Sequence, residues 1–292
     1  MTTICDVQSL RNEKGFSLTR VGVIGVRKIV QVGKPGYERG SVPMICSIDA
    51  FVDLPADQKG SHMSRNLEVI EGIIEECIDK PVIGIENIAV AMGKMLLDKH
   101  SYASTSGVNI EAEYFRESVT PRGRRTTEVC KLIGKSRCIK GGKVTKTLGV
   151  QVTGMTACPC AQENVARILG CSKEWPVITH NQRNVCTVVM ELEDSVDVEA
   201  DDLIDLVNDC YSSPTFGILK RDDEAVVVIN AHNNPKFVED VVREVLKKIV
   251  KQYTRVPDDT VVIARSESEE SIHKHNAYAE RIATMRELRN QL

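Results

Sequence analysis

The sequence predicts an α+β protein built as two modules of similar plan. Three observations predict it. Segments of period-two alternation are interleaved with segments of helical period. The order strand, strand, helix, helix, strand is legible in the first half and recurs in the second. The chain has 292 residues, enough for two modest cores. The modules are expected at 1–145 and 146–292.

Each element has its own signature. "SLTRVGVIGVRKIVQVGK" (17–34) is β-branched and partly alternating, and "VPMICSIDAFVDL" (42–54) reads as a second strand. Leu67, Ile70, Ile74, Cys77 and Ile78 repeat at helical spacing, as do Ile88, Met92, Met95 and Leu96. Residues 106–118 and 143–155 alternate again. In the second half, "NVCTVVMELED" (184–194) is a strand and "ADDLIDLVNDCY" (200–211) a helix. Residues 234–253 form a stronger helix, with Asn234 as N-cap and Pro235 at the first helical position. "DTVVIARSESEES" (259–271) closes the pattern as a strand.

Composition narrows the function classes. The net charge of −3 offers no electrostatic reason to expect nucleic acid or an anionic membrane as partner. No apolar run is long enough to span a bilayer. The first residues lack the apolar core of a secretory signal, so the expected compartment is the cytoplasm. The ten cysteines, Cys171 among them, are scattered and read as reduced thiols, most of them buried.

Several short stretches carry chemistry. "TACPCAQ" (156–162) holds Cys158 and Cys160 around Pro159. In an extended segment both sulfurs face one side. Buried or exposed filler, metal ligation and redox chemistry all stay open, although the spacing suits neither a zinc knuckle nor a thioredoxin-like pair. His180 in "THNQR" is a capping residue or a ligand. His273 and His275 in "SIHKHNAYAE" share a face if extended, as two imidazoles near one ion would. Glu224 sits in an acidic run read as a turn before a strand. Helical geometry puts Glu239 beside Val242 and Leu246, at the edge of an apolar stripe. A carboxylate held there suits a partner with paired donors, of which guanine is one. In "KGSHMSR" (59–65), His62 and Arg65 are placed to meet an anion at a helix N-terminus, or are an ordinary helix entry capped by Ser61 or Ser64.

Taken together, "KGSHMSR", "CPC", "HNQR", "LKRDDE", "NPKFVEDVVR" and "ESIHKHNAYA" occur in the order seen in the type IB GTP cyclohydrolases, which the chain resembles over about residues 15–285. "TACPCAQ" and the insert "ENVARILGCSKEWPVIT" resemble the archaeal, iron(II)-dependent branch of methanopterin biosynthesis. The resemblance implies the tunnelling fold (T-fold), two tandem modules of antiparallel sheet plus paired helices. It implies conversion of GTP and water to 7,8-dihydroneopterin 2′,3′-cyclic phosphate, formate and diphosphate. The bacterial-type product, 7,8-dihydroneopterin triphosphate, is the alternative, and a non-catalytic metal-stabilised binding protein is the alternative of another class. The implied metal ligands are Cys158, His180, Glu224 and His273, with His275 the alternate for His273. His180 either ligates or stands beside the metal and handles protons, a role shared with His275. Glu239 is the implied purine anchor. Arg65, Arg183, Lys220 and Arg221, with His62, are candidates for the triphosphate. One catalytic metal per subunit is implied, iron(II), with zinc(II) or manganese(II) as alternatives, since mixed soft and hard ligands do not choose. A homo-oligomer, with a tetramer expected and sites at subunit interfaces, completes the picture.

Overall fold

The computed structural model describes residues 5–34, 40–170 and 177–292. Cys171 and the middle of the insert before His180 lie outside these. Two compact units emerge. Unit one comprises Met1–Glu113, Leu132–Leu148 and Glu191–Asp197, and unit two Tyr114–Lys131, Gly149–Met190 and Val198–Leu292. Residue 145 falls inside a strand, and four strands are divided between the units.

In unit one the described elements are β1 (Leu18–Gly33), β2 (Ser41–Leu54), α1 (Met63–Asp79), β3 (Val82–Ile83) and α2 (Ile85–Lys99), with stretches of β4 (Thr105–Val119), β5 (Arg125–Ile139), β6 (Val144–Ala157) and β7 (Asn181–Glu193). The strand order is β7-β6-β5-β4-β2-β1-β3. β2 is antiparallel to both β1 and β4, with Ile48 opposite Ile110, and β3 adds parallel to β1. Inward residues Ile48, Ala50 and Val52 are fully buried, as are Ile70, Ile88 and Met92 of the two helices. The buried face of α1 is Asn66, Val69, Ile70, Ile73 and Cys77. That corrects the expected stripe, since Leu67 and Ile78 are exposed. The polar Asn66 marks the true face: it donates to Ala50 O of β2 (3.0 Å) and accepts from His100 Nε2 (2.7 Å).

Unit two continues β4 to β7 and adds α3 (Pro159–Leu169), α4 (Ala200–Asn208), β8 (Ser213–Pro214), α5 (Arg221–Asn233), α6 (Val238–Gln252), β9 (Val261–Glu269), β10 (Ala277–Thr284) and α7 (Met285–Arg289). Its strand order is β10-β9-β7-β6-β5-β4, with β8 on β6. β9 and β10 are antiparallel, Ile263 facing Ile282. The valine-rich α6 has modest intrinsic helicity. Packing decides it: Val238, Val241, Val242, Val245 and Ile249 are buried, each contributing about 1.5–3 kcal/mol. Gly154 of β6 lies flat against Tyr211, whose ring a Cβ would meet at 2.1 Å. The Tyr211 hydroxyl accepts from Cys186 N (3.0 Å) and donates to Val152 O (2.7 Å), so it has little room to yield.

The structure corrects three expectations in this unit. The acidic run carrying Glu224 opens a helix, α5, not a strand. Its β-branched "VVVI" is overruled by three acids in the first turn and by Asp223, fully buried and paired with Arg124 and Arg122 N. α6 begins at Val238, with Phe237 at its N-cap and Asp240 accepting the Phe237 amide (3.0 Å). Asn234 instead caps the end of α5 and donates to Tyr211 O (3.0 Å). Finally, "CPC" is not extended: Cys158 is the N-cap of α3 and Pro159 its first residue.

The packing makes two outcomes measurable. Burial, then the nearby charges of Arg65 and His62, pushes His100 down from 6.5 to about 4. Its folded pKa lies below the unfolded value, so this stabilisation is whole above pH 6.5 and is lost as pH falls towards 4. The melting temperature should fall by a few degrees (~2–6 °C) over that window, and His100→Gln should flatten the slope. An unchanged slope contradicts a buried neutral imidazole. Gly154→Ala should cost about 1–3 kcal/mol in denaturant unfolding, since the added methyl meets a pinned ring. A neutral effect contradicts that contact.

Candidate functional site

Unit two holds a cavity of about 290 Å³, with Cys158, His180, Glu239, Glu270, His273 and His275 in its wall. Cys158 reaches it from the head of α3, where its sulfur accepts the Ala161 amide (3.4 Å). Its own N–H donates to His180 O (3.0 Å), and Thr179 Oγ1 donates to its carbonyl (2.7 Å). The α3 cap and the start of β7 are thus tied together by the backbone. Cys160, one residue into the helix, points elsewhere: it is exposed and outside the cavity wall. The two cysteines therefore diverge, because residues two apart on a helix do not share a face.

His180 is held through Nδ1, which lies 2.9 Å from Gln182 Oε1, 3.4 Å from Ser271 Oγ and 3.8 Å from Glu270 Oε2. The expected extended segment around His273 and His275 is a bend, 271–275, immediately before β10. It still brings the two rings together, stacked at 5.2 Å, and sets His273 edge-on to His180 at 6.4 Å. Glu239, exposed in the first turn of α6, completes one wall beside the half-exposed Phe237 ring.

Other predicted residues do not line this cavity. Glu224 is exposed on α5, with Lys220 and Arg221 exposed at its start. Arg183 points out of β7, opposite the buried Gln182. In unit one, His62 Nε2 pairs with the Asp6 carboxylate (2.9 Å), and Arg65 donates to Lys99 O (3.3 Å). Neither Ser61 nor Ser64 caps α1: His62 occupies the N-cap position without a side-chain bond.

Sequence reasoning missed Gln182, Phe237 and Glu270. A signal existed for the first: Gln182 is two residues from His180 on a strand and shares its face. "SESEES" held another, since Ser266 and Ser268 turn out fully buried, and inward serines on a strand need polar partners.

The donor types suit a divalent ion: one thiol and imidazoles, which fit zinc or iron(II). Among the described residues, however, no three His, Cys, Asp or Glu side chains converge closely enough to close around an ion. The cavity holds metal donors of the right kind without a finished coordination shell, and Glu224 is outside its wall.

Comparison with known proteins defines the class first. The uricase of Arthrobacter globiformis superposes with a TM-score of 0.56, covering 91% of this chain and 93% of that one at 6% identity. This likeness concerns the fold alone, the α+β tunnelling fold. A family model described as type I GTP cyclohydrolase folE2 matches residues 4–279. Proteins named GTP cyclohydrolase MptA are similar throughout: that of Methanococcus aeolicus is 38% identical, covering 99% of both chains. That of Methanocaldococcus jannaschii is 39% identical over 99% of this chain and 97% of its own. The chain belongs to the type I GTP cyclohydrolase family, and is an enzyme acting on GTP.

The geometry separates fold from site at Cys158. Cys158→Ser keeps an acceptor at the head of α3, so its melting temperature should stay within ~2 °C of the wild type. A loss larger than ~5 °C contradicts a thiol held mainly for the cavity.

Proposed function

We propose that the unit-two cavity opens the guanine ring of GTP at C8, giving 7,8-dihydroneopterin 2′,3′-cyclic phosphate, formate and diphosphate. One observation carries the reading: Cys158, His180, Glu239, His273 and His275, from distant parts of the sequence, share one wall. At about 290 Å³ the cavity sits at the small end of ligand sites (roughly 300–1,000 Å³). It suits the base, with the ribose and phosphates extending beyond it.

In this reading Glu239 accepts the ring N–H and amino group of guanine, a charge-assisted pair. Phe237 offers a ring face to the purine. Cys158, His180 and His273 are the residues that would hold iron(II), with zinc(II) or manganese(II) as alternatives, once their side chains close on it. When bound, the ion supplies Lewis acidity that activates water for attack at C8. His180 or His275 carries the proton to the departing imidazole nitrogen. Arg183, Lys220 and Arg221 of unit two remain candidates for the phosphates.

Glu224 as fourth ligand requires an approach that the isolated chain does not offer. α5 presents it to solvent together with Val228 and Ile229, which are 46% and 48% exposed. We read this helix as meeting another copy, in a homo-oligomer, a tetramer, whose sites lie at subunit boundaries. No described helix is long and apolar enough to cross a membrane, and all nine described cysteines are free, which supports a reducing cytoplasm. The archaeal-type motifs and the shared name of the relatives favour the cyclic phosphate over the triphosphate product.

The test is anaerobic incubation of the reduced protein with GTP and iron(II). Formate and an oxidisable, fluorescent pterin should appear, and mass spectrometry should find a cyclic monophosphate. Absence of metal-dependent turnover, or full activity in Cys158→Ala, would sink the reading. A product that keeps three phosphates would correct its last step. Glu239→Gln should lower kcat/KM about 100-fold, since a charge-assisted pair contributes about 1.5–3 kcal/mol. A loss below about threefold contradicts base anchoring by this carboxylate.

A further inference from the structure

Beneath the cavity runs a chain of buried polar groups. Ser266 Oγ donates to Asn184 Oδ1 (2.8 Å), and Asn184 Nδ2 donates to Ser268 Oγ (2.8 Å). Ser268 Oγ lies 3.2 Å from Thr156 Oγ1, a pair in which either hydroxyl can donate. Gln182 Nε2 also donates to Thr156 Oγ1 (3.2 Å). With the amide in this rotation, its Oε1 faces His180 Nδ1 at 2.9 Å. The other atoms near this nitrogen, Ser271 Oγ and Glu270 Oε2, are oxygens as well. A ring nitrogen facing an amide oxygen and a carboxylate is favoured as a donor, N–H.

We infer that Gln182 is a positioning residue that sets the tautomer of His180, keeping the hydrogen on Nδ1 and leaving Nε2 as the free lone pair of a ring in the cavity wall. The assignment deepens the proposed function, because a ligand or proton acceptor there needs that lone pair. It stands on the network alone, however, and holds whatever the ring does next. Thr156, Asn184, Ser266 and Ser268 are fully buried, so water does not compete for the bonds among them, and Gln182, 9% exposed, carries the network to the cavity wall. An imidazole oriented by such a partner has one nitrogen reserved for chemistry, as ligating histidines do.

The chain has six histidines, which makes the test direct. In metal-free protein labelled with nitrogen-15 histidine, at a pH where the ring is neutral, two-bond nitrogen–proton correlations report which nitrogen is protonated. His180→Gln identifies the signal by its loss. The wild type should show Nδ1–H for His180. Gln182→Leu should move the population to Nε2–H, and Gln182→Glu should restore Nδ1–H, with the His100 signal unmoved as a fold control. An Nε2–H wild-type ring, or a Gln182→Leu spectrum unchanged at His180, overturns the assignment, and the wild-type spectrum decides even if a variant fails to fold. In turnover, Gln182→Leu should lower kcat roughly 10–100-fold with KM for GTP little changed; a change in KM alone counts against positioning. Full turnover in His180→Ala would refute the role given to the ring under the proposed function, while leaving its tautomer as measured.

Discussion

Five polar side chains at the centre of the unit-two sheet, Thr156, Gln182, Asn184, Ser266 and Ser268, have to satisfy one another. The position of His180 depends on that closure. Energetics argue that the network exists for orientation. A satisfied internal hydrogen bond adds only about 0.5–1.5 kcal/mol, while an orphaned buried group costs about 1–3 kcal/mol. An apolar cluster of the same volume would stabilise the sheet equally well. A connected network, by contrast, restricts the side-chain orientations of its members, and it ends on the imidazole at the cavity wall. The Cys158 N–H to His180 O bond then carries the thiol to the same wall.

Unit one uses the same device for another end. Asn66, fully buried, bridges β2 and His100 and so fixes α1 over the sheet. There the imidazole is locked away from solvent; in unit two it borders a cavity. The path of the chain makes the difference. After β9 it bends through 271–275 before β10, and that bend delivers His273 and His275 beside His180.

Much of the fold is legible in the sequence. Alternation in β1, β2, β4, β6, β7 and β9 and the helical stripe of α2 are properties of residue order, and they survive in the structure. β5 is not legible, because its inward positions include Thr126 and Ser136 while Val129 and Ile139 face outward, so no apolar alternation stands out. α5 has the sequence of a strand, three valines and an isoleucine in a row, whereas the deciding contact, Asp223 with Arg124, is remote in sequence. The apolar spacing of α1 points one face away from the buried one, because the inward face includes a polar residue, Asn66. Of the site, Cys158, His180, His273, His275 and Glu239 are nameable from motif order, but their meeting in one cavity is not. Glu270 escapes sequence reasoning because its significance is geometric: it matters through its distance to His180 Nδ1.

The central claim is that Cys158 and the neighbouring imidazoles are donors to one catalytic ion. X-ray absorption at the iron edge of the anaerobic, iron-loaded protein tests it most directly. The account predicts one sulfur scatterer in a shell of imidazole nitrogen and oxygen, and loss of that sulfur in Cys158→Ser. A wild-type shell without sulfur, or a sulfur that persists in Cys158→Ser, would contradict it.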